Sequence, residues 1–397
     1  MPSVVATALL AIALVAAILP PGYPAYIGGY VALVAAILAL LGFGWSERTV
    51  FRHPTALAIL AAIGLVTLTL PFVYTGPADL LAPVSLLPML SAIALGALGR
   101  PAQTIPSSVL FASLCLLAVF IACVGGAYEH FVLGTYRPGL GNNPIHYASL
   151  AVMAGGLALV GVSAGTSPLR YIFLLGPILG LACAVIADSR GPMLSAVAIT
   201  VVGLAVLTPR LWHDRWFRVA TLLGVLAGIG AVLYLTASGS TRIAGLIETG
   251  LNIFRFTGSS DDIRTALYAS ALEILRASPI FGVGLGQIMT TSEVLFPDIL
   301  AGSGLENLHA DWANFAAMAG GLGLMAWLLL LAAPLLLLCD GRARQDGPIV
   351  LGAVLLTTGQ IALGASNATF GVLPQTMVYA IPLGYFLARS RRLASRP

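Results

Sequence analysis

Apolar runs of about twenty residues recur along this chain, with few charges between them. A bilayer's hydrocarbon core is ~30 Å thick, and a helix of about twenty apolar residues crosses it. Of the 397 residues, 59% are hydrophobic and 9% charged, where a soluble domain carries about 25% charged. A water-soluble fold would have to expose much of that apolar surface, which soluble monomers avoid. An ordinary soluble enzyme, a disordered chain and a collagen-like fibre are therefore excluded. Long runs rather than short alternating segments select helices over a β-barrel. The expected fold is an all-α integral membrane protein.

Apolar windows mark about twelve spans, near 3–19, 25–43, 55–74, 81–98, 105–125, 144–163, 169–187, 191–208, 218–236, 310–338, 348–366 and 371–388. The first lacks a basic leader and is long for a signal peptide, so it reads as a retained helix. With the N-terminus in the cytoplasm, thirteen of the nineteen arginines fall in inner loops. Six fall outside: Arg137, Arg190, Arg242, Arg255, Arg264 and Arg276. Acidic residues run the other way, four inside and eleven outside. This bias predicts both termini in the cytoplasm, and it leaves the six outer arginines without a role in orientation.

Three regions follow. Residues 1–236 hold spans one to nine, 237–308 form one large outer loop, and 309–397 hold spans ten to twelve and a cytoplasmic tail. A loop that long is normally functional or disordered, and this one is not of low complexity. It contains an expected amphipathic helix at 261–277, with Ser259, Ser260, Asp261 and Asp262 at its start and Pro279 after its end. Ile263, Leu267 and Ile274 fall on one face, which reads as a lid on the outer surface.

Every basic residue is Arg. That removes lysine Schiff-base chemistry and the P-loop lysine. Cys115, Cys123, Cys183 and Cys339 lie in or beside apolar runs, without metal-type spacing, and read as small core residues. No HExxH or spaced carboxylate pair is present, so no metal site is expected. No cofactor and no nucleic-acid partner are implied. Gly282-Val283-Gly284-Leu285-Gly286 follows no buried strand and reads as a turn, not a phosphate loop.

Among the histidines, His309 stands where the outer loop enters span ten. It is either a solvated helix-end residue or a general base, for which its pKa range suits it. His130 and His146 flank the loop before span six and are second choices, and His53 and His213 sit among inner-loop arginines. Arg190, in the short turn Asp188-Ser189-Arg190-Gly191-Pro192, either snorkels, pairs with Asp188 or binds an anion. Arg264, in the first turn of the predicted lid helix, opposes the helix dipole. It either pairs with Asp261 or Asp262 or holds an anion there. Several outer arginines together suit a polyanion, since each guanidinium can grip phosphate with a bidentate fork.

Asn142-Asn143-Pro144-Ile145, Ser189-Arg190-Gly191, and Arg264 with Ser278-Pro279-Ile280-Phe281-Gly282-Val283-Gly284 come in that order. His309-Ala310-Asp311 and Gly320-Gly321-Leu322-Gly323 follow. With the twelve-span layout and the large loop between spans nine and ten, the chain resembles the O-antigen ligase family, within the wider group of bacterial O-antigen ligases and polymerases. Where the family often has Asn after the histidine, this chain has Ala310. The resemblance implies glycan transfer on the periplasmic face of the bacterial inner membrane, among membrane lipids. The donor would be an undecaprenyl-diphosphate-linked polysaccharide and the acceptor a sugar hydroxyl of the lipid A core. It implies that Arg190, Arg242 and Arg264 hold the diphosphate and that His309 activates the acceptor. Arg137 joins them from the outer-arginine count. The alternatives are a polymerase with the same donor, a protein-glycosylating relative and, in a different class, a secondary transporter.

Overall fold

The computed structural model describes residues 2–165, 167–219, 221–224 and 259–395, and these residues are helical with no strand. The principal helices are α1 (Pro2–Ile18), α2 (Pro24–Phe43), α3 (Pro54–Val73), α4 (Pro77–Ala97), α5 (Ser108–Phe131) and α6 (Pro144–Ala164). They continue as α7 (Pro168–Ile186), α8 (Arg190–Leu211), α9 (Ser259–Ala277), α10 (Asp311–Ala332), α11 (Gly347–Gly364) and α12 (Leu373–Ala394). Among the described residues nine of these, α2 to α8 with α10 and α11, are long and apolar enough to cross a membrane. The chain is a multi-pass membrane protein. Most of expected span nine at 218–236 lies outside the described residues, and Arg242 and Arg255 lie wholly outside them.

Polar loops gather at the two ends of the bundle. At one end the 19–23 turn meets the 137–143 loop, where Tyr23 N–H donates to Leu140 O at 2.9 Å. At the other, three arginines are matched by carboxylates. Arg170 pairs with Asp214, Arg389 with Asp346 and Arg391 with Glu47, each at 2.7 Å. Helix α6 runs through the middle, buried along most of its length, while α7 and α5 turn much of their apolar surface outward, as helices facing lipid do.

Helix α10 is broken within its length. Ala319 (φ −143°, ψ 15°) and Gly320 (φ 59°, ψ −143°) leave helical geometry. The helical bonds from Gly321 to Ala317 and from Leu322 to Met318 are thereby lost, and unpaired backbone is costly inside a membrane. The 279–284 turn replaces them. Gly321 N–H donates to Pro279 O at 2.8 Å and Leu322 N–H to Ile280 O at 3.3 Å. Val283 N–H donates to Ala317 O at 2.9 Å and Gly284 N–H to Met318 O at 3.2 Å. Both sides of the junction need glycine: a Cβ on Gly320 would lie 2.5 Å from the Ile280 carbonyl carbon, and one on Gly282 2.4 Å from Ala317 O. The glycine-rich segment is thus a turn, as expected, but it plugs a broken span instead of lying free in the outer loop. Phe281 stacks on Phe72 at 4.1 Å, and buried Asp79 accepts from Gly286 N–H at 2.8 Å. Below the break, the last carbonyls of α10 are also satisfied from outside. Tyr379 Oη donates to Leu330 O (2.6 Å), Thr357 Oγ1 to Leu331 O (3.0 Å) and Thr55 Oγ1 to Ala333 O (3.0 Å).

The amphipathic helix predicted at 261–277 is α9, starting two residues earlier. Leu267, Ala271 and Ile274 are buried against the bundle, whereas Ile263, predicted to share that face, is exposed. Tyr268 packs on Trp312 of α10 at 5.5 Å and donates from its hydroxyl to Ala365 O at 3.3 Å. Ser270 and Ser292 share a hydrogen bond at 2.9 Å. The helix is docked on α10 and on the loop after α11.

Candidate active site

Helix α7 ends in a tight reversal. Ser189 N–H donates to Ala184 O and Asp188 N–H to Val185 O, both at 3.0 Å, with Asp188 left-handed at φ 48°. This double bond closes helices over a left-handed residue, a role Asp fills better than most non-glycine residues. Only Ala187, Asp188 and Ser189 then separate α7 from α8, so Arg190 opens α8. Ser189 does not cap the new helix, because its hydroxyl donates to Ala187 O at 3.2 Å. Across from it, Glu129 accepts from Gly139 N–H and Leu140 N–H at 3.0 and 2.8 Å. That fixes the 137–142 loop, and Asn143 then caps α6 by accepting from Ile145 N–H at 2.9 Å.

These loops and α9 enclose a pocket of about 240 Å³. Arg137, Arg190 and Arg264 line it together with Tyr136, Asp188 and Ser366. Residues as far apart in sequence as Tyr136 and Ser366 thus converge. Gly191 and Pro192 of the first turn of α8 and Ile145 of the first turn of α6 also line it. Two helix N-termini therefore border the pocket beside the arginines, an arrangement that favours an anion.

Three arginines at the opposite end are paired with carboxylates. Among the described residues none of Arg137, Arg190 and Arg264 forms an ion pair. Arg137 donates from Nε to Ala187 O at 3.3 Å. Asp188, weighed from sequence as a partner for Arg190, instead accepts from Tyr136 Oη at 2.9 Å. Arg264 stands in the second turn of α9, not the first, because the helix begins at Ser259. Arg276, also outer by sequence, is exposed and bonded to Glu273, so it takes no part.

His309 belongs to the next turn. It is half-buried, left-handed at φ 51°, and its N–H donates to Asn307 Oδ1 at 2.8 Å. Asn314 Oδ1 accepts from Leu308 N–H at 2.9 Å. Burial, and then the positive charge of Arg264, holds the His309 imidazole below its ordinary pKa. His146 also lies within electrostatic reach of His309. His309 is not among the residues that line the pocket, but its imidazole, held toward the neutral form, lies within electrostatic reach of Arg264, which is. The imidazole can accept a proton near neutral pH, while the guanidiniums can hold an anionic group. The other histidines stand elsewhere: His130 meets Thr135 O at 3.0 Å, His53 caps α3 at the opposite end, and His213 is exposed there.

Asp311, named from the sequence only as part of His309-Ala310-Asp311 and without a role of its own, is a buried anchor. It is 1% exposed. Oδ1 accepts from Thr369 N–H (2.7 Å) and Phe370 N–H (3.2 Å), and Oδ2 from Gln360 Nε2 (3.3 Å) and the Thr369 hydroxyl. An acidic residue two positions after His309, at the mouth of an apolar run, was the available signal. Among the described residues no three His, Cys, Asp or Glu side chains gather as a metal-ligand set.

A family model described as O-Antigen ligase matches residues 175–328. The matched stretch contains Arg190, Arg264, His309 and the broken part of α10, and Arg137 lies before it. No curated protein matches the sequence.

Proposed function

We propose that the chain, matched over residues 175–328 by the model described as O-Antigen ligase, acts as a member of that family and is an inverting, metal-independent glycosyltransferase. It moves a polysaccharide from undecaprenyl diphosphate to a sugar hydroxyl of the lipid A core. The observation that carries this reading is the convergence of Arg137, Arg190 and Arg264 on one pocket, with His309 within electrostatic reach of Arg264. The pocket end faces the periplasm, since the other end holds most of the arginines. No nucleotide is needed there, because a glycosyl diphosphate arrives activated.

The acceptor oxygen attacks the anomeric carbon as the bond to the diphosphate oxygen breaks. The bonding pair leaves with the lipid diphosphate, and the hydroxyl proton passes to neutral His309. Guanidiniums fixed before reaction stabilise the charge growing on the leaving oxygen, an effect worth several kcal/mol in such sites. Proton transfer to a placed base adds about 10²–10⁴-fold. Direct displacement inverts the anomeric centre.

The test is transfer by purified protein from a lipid-linked glycan to lipid A core. Transfer is expected to persist in excess EDTA and to fall at least about 10²-fold in His309→Ala. Glycan growing on the lipid carrier instead would make it a polymerase. A requirement for Mg²⁺ or Mn²⁺ would contradict the arginine mechanism.

A further inference from the structure

The loop after α11, residues 365–371, touches all three parts of the proposed site. Ala365 O accepts from Tyr268, one helical turn after Arg264. A Cβ on Gly191, next to Arg190, would lie 2.1 Å from Ser366 Oγ, so loop and α8 are in direct contact there. Thr369 and Phe370 bind the Asp311 carboxyl, two residues from His309. The approach of α11 to Asp311 is equally close: a Cβ on Gly364 would lie 2.4 Å from Asp311 Oδ2.

We infer that Asp311 is a positioning residue, which holds His309 in register with Arg190 and Arg264 through the 365–371 loop. The inference rests on the transfer reaction proposed above. His309 sits on a turn whose left-handed backbone leaves it no regular helical support. Of its own anchors, Asn307 closes the turn on itself and Asn314 fixes it to α10, but neither bonds to the arginines. Asp311 supplies that link, because the same carboxyl that starts α10 closes the loop carrying Ser366 into the pocket wall. Catalysis is sensitive to such register: about 1 Å of misplacement can cost about 10²-fold.

Asp311→Asn is the test. Asn keeps Oδ1 for the two loop amides and loses the second acceptor. Binding of farnesyl diphosphate is expected to stay within about threefold of wild type, because the arginines are untouched. The kcat of the folded protein is expected to fall at least about tenfold. Added to His309→Ala, the substitution is expected to slow residual transfer no further, since residues acting as one unit are non-additive. Should Asp311→Asn fail to fold, Thr369→Val removes the hydroxyl bond to Asp311 from the loop side, keeps the two amide bonds, and carries the same expectations. A wild-type kcat per folded molecule, or losses that multiply in the double variant, overturns the inference. If His309→Ala alone transfers normally, the proposed function falls and this inference with it. If His309→Ala is inactive and Asp311→Asn is normal, only this inference falls.

Discussion

Asn307 accepts the His309 amide at 2.8 Å and so closes the turn that holds His309 at φ 51°. A left-handed histidine costs about 1–2 kcal/mol, and the bond returns about 0.5–1.5 kcal/mol. Asn307→Ala should therefore leave the fold intact and loosen the turn. The expected result is a melting temperature in detergent close to wild type with a clear drop in kcat. A normal kcat would show that the turn holds without Asn307.

The pH dependence of transfer follows from His309. Its pKa is lowered by burial and by Arg264, so the neutral, proton-accepting form prevails at neutral pH. Activity should fall as pH drops through that lowered pKa. Arg264→Ala removes a cation that disfavours imidazolium, so the pKa should rise and the acid limb of the kcat/KM profile should move to higher pH. An acid limb that stays in place would separate His309 from Arg264.

Arg190→Ala and Arg264→Ala should each reduce transfer at least about 10²-fold if they stabilise the leaving diphosphate. Lysine at either position should recover only part of the loss, since an ammonium lacks the bidentate fork. Arg276→Ala, at an exposed residue bonded to Glu273, serves as the control and should transfer at the wild-type rate.

Gly320→Ala probes the broken helix. A Cβ there meets the Ile280 carbonyl at 2.5 Å, at a backbone geometry that L residues rarely adopt. Strain of this kind costs about 1–3 kcal/mol, so the variant should melt below wild type in detergent. An unchanged melting temperature would mean that the 279–284 plug can shift without cost.

The bundle was legible because apolar runs of membrane length leave little else to fold into, and eleven of the twelve expected spans coincide with helices. Arg137, Arg190 and Arg264 were legible because orientation does not require arginine at that end. Arg276 met the same criterion, but it stands three residues after Glu273 on the predicted helix, a spacing that pairs the two locally. The break at Gly320 was hidden because apolar periodicity runs straight through it, and its partner segment lies some forty residues earlier. Asp311 was hidden for a related reason: its partners Thr369 and Phe370 follow the next span, so no local spacing reveals them.

The unpaired arginines also bear on what happens after the glycan has gone. In the proposed reaction the departing lipid diphosphate carries more negative charge than it did as part of the donor. Among the described residues no carboxylate pairs with Arg137, Arg190 or Arg264 to take its place. The site should therefore hold its by-product more tightly than its donor, and turnover should be limited by release rather than chemistry. A pre-steady-state burst of transfer, and competitive inhibition by added undecaprenyl diphosphate, would be the kinetic marks of such an enzyme. Its working rate in a membrane would then depend on how quickly the spent carrier is drawn away.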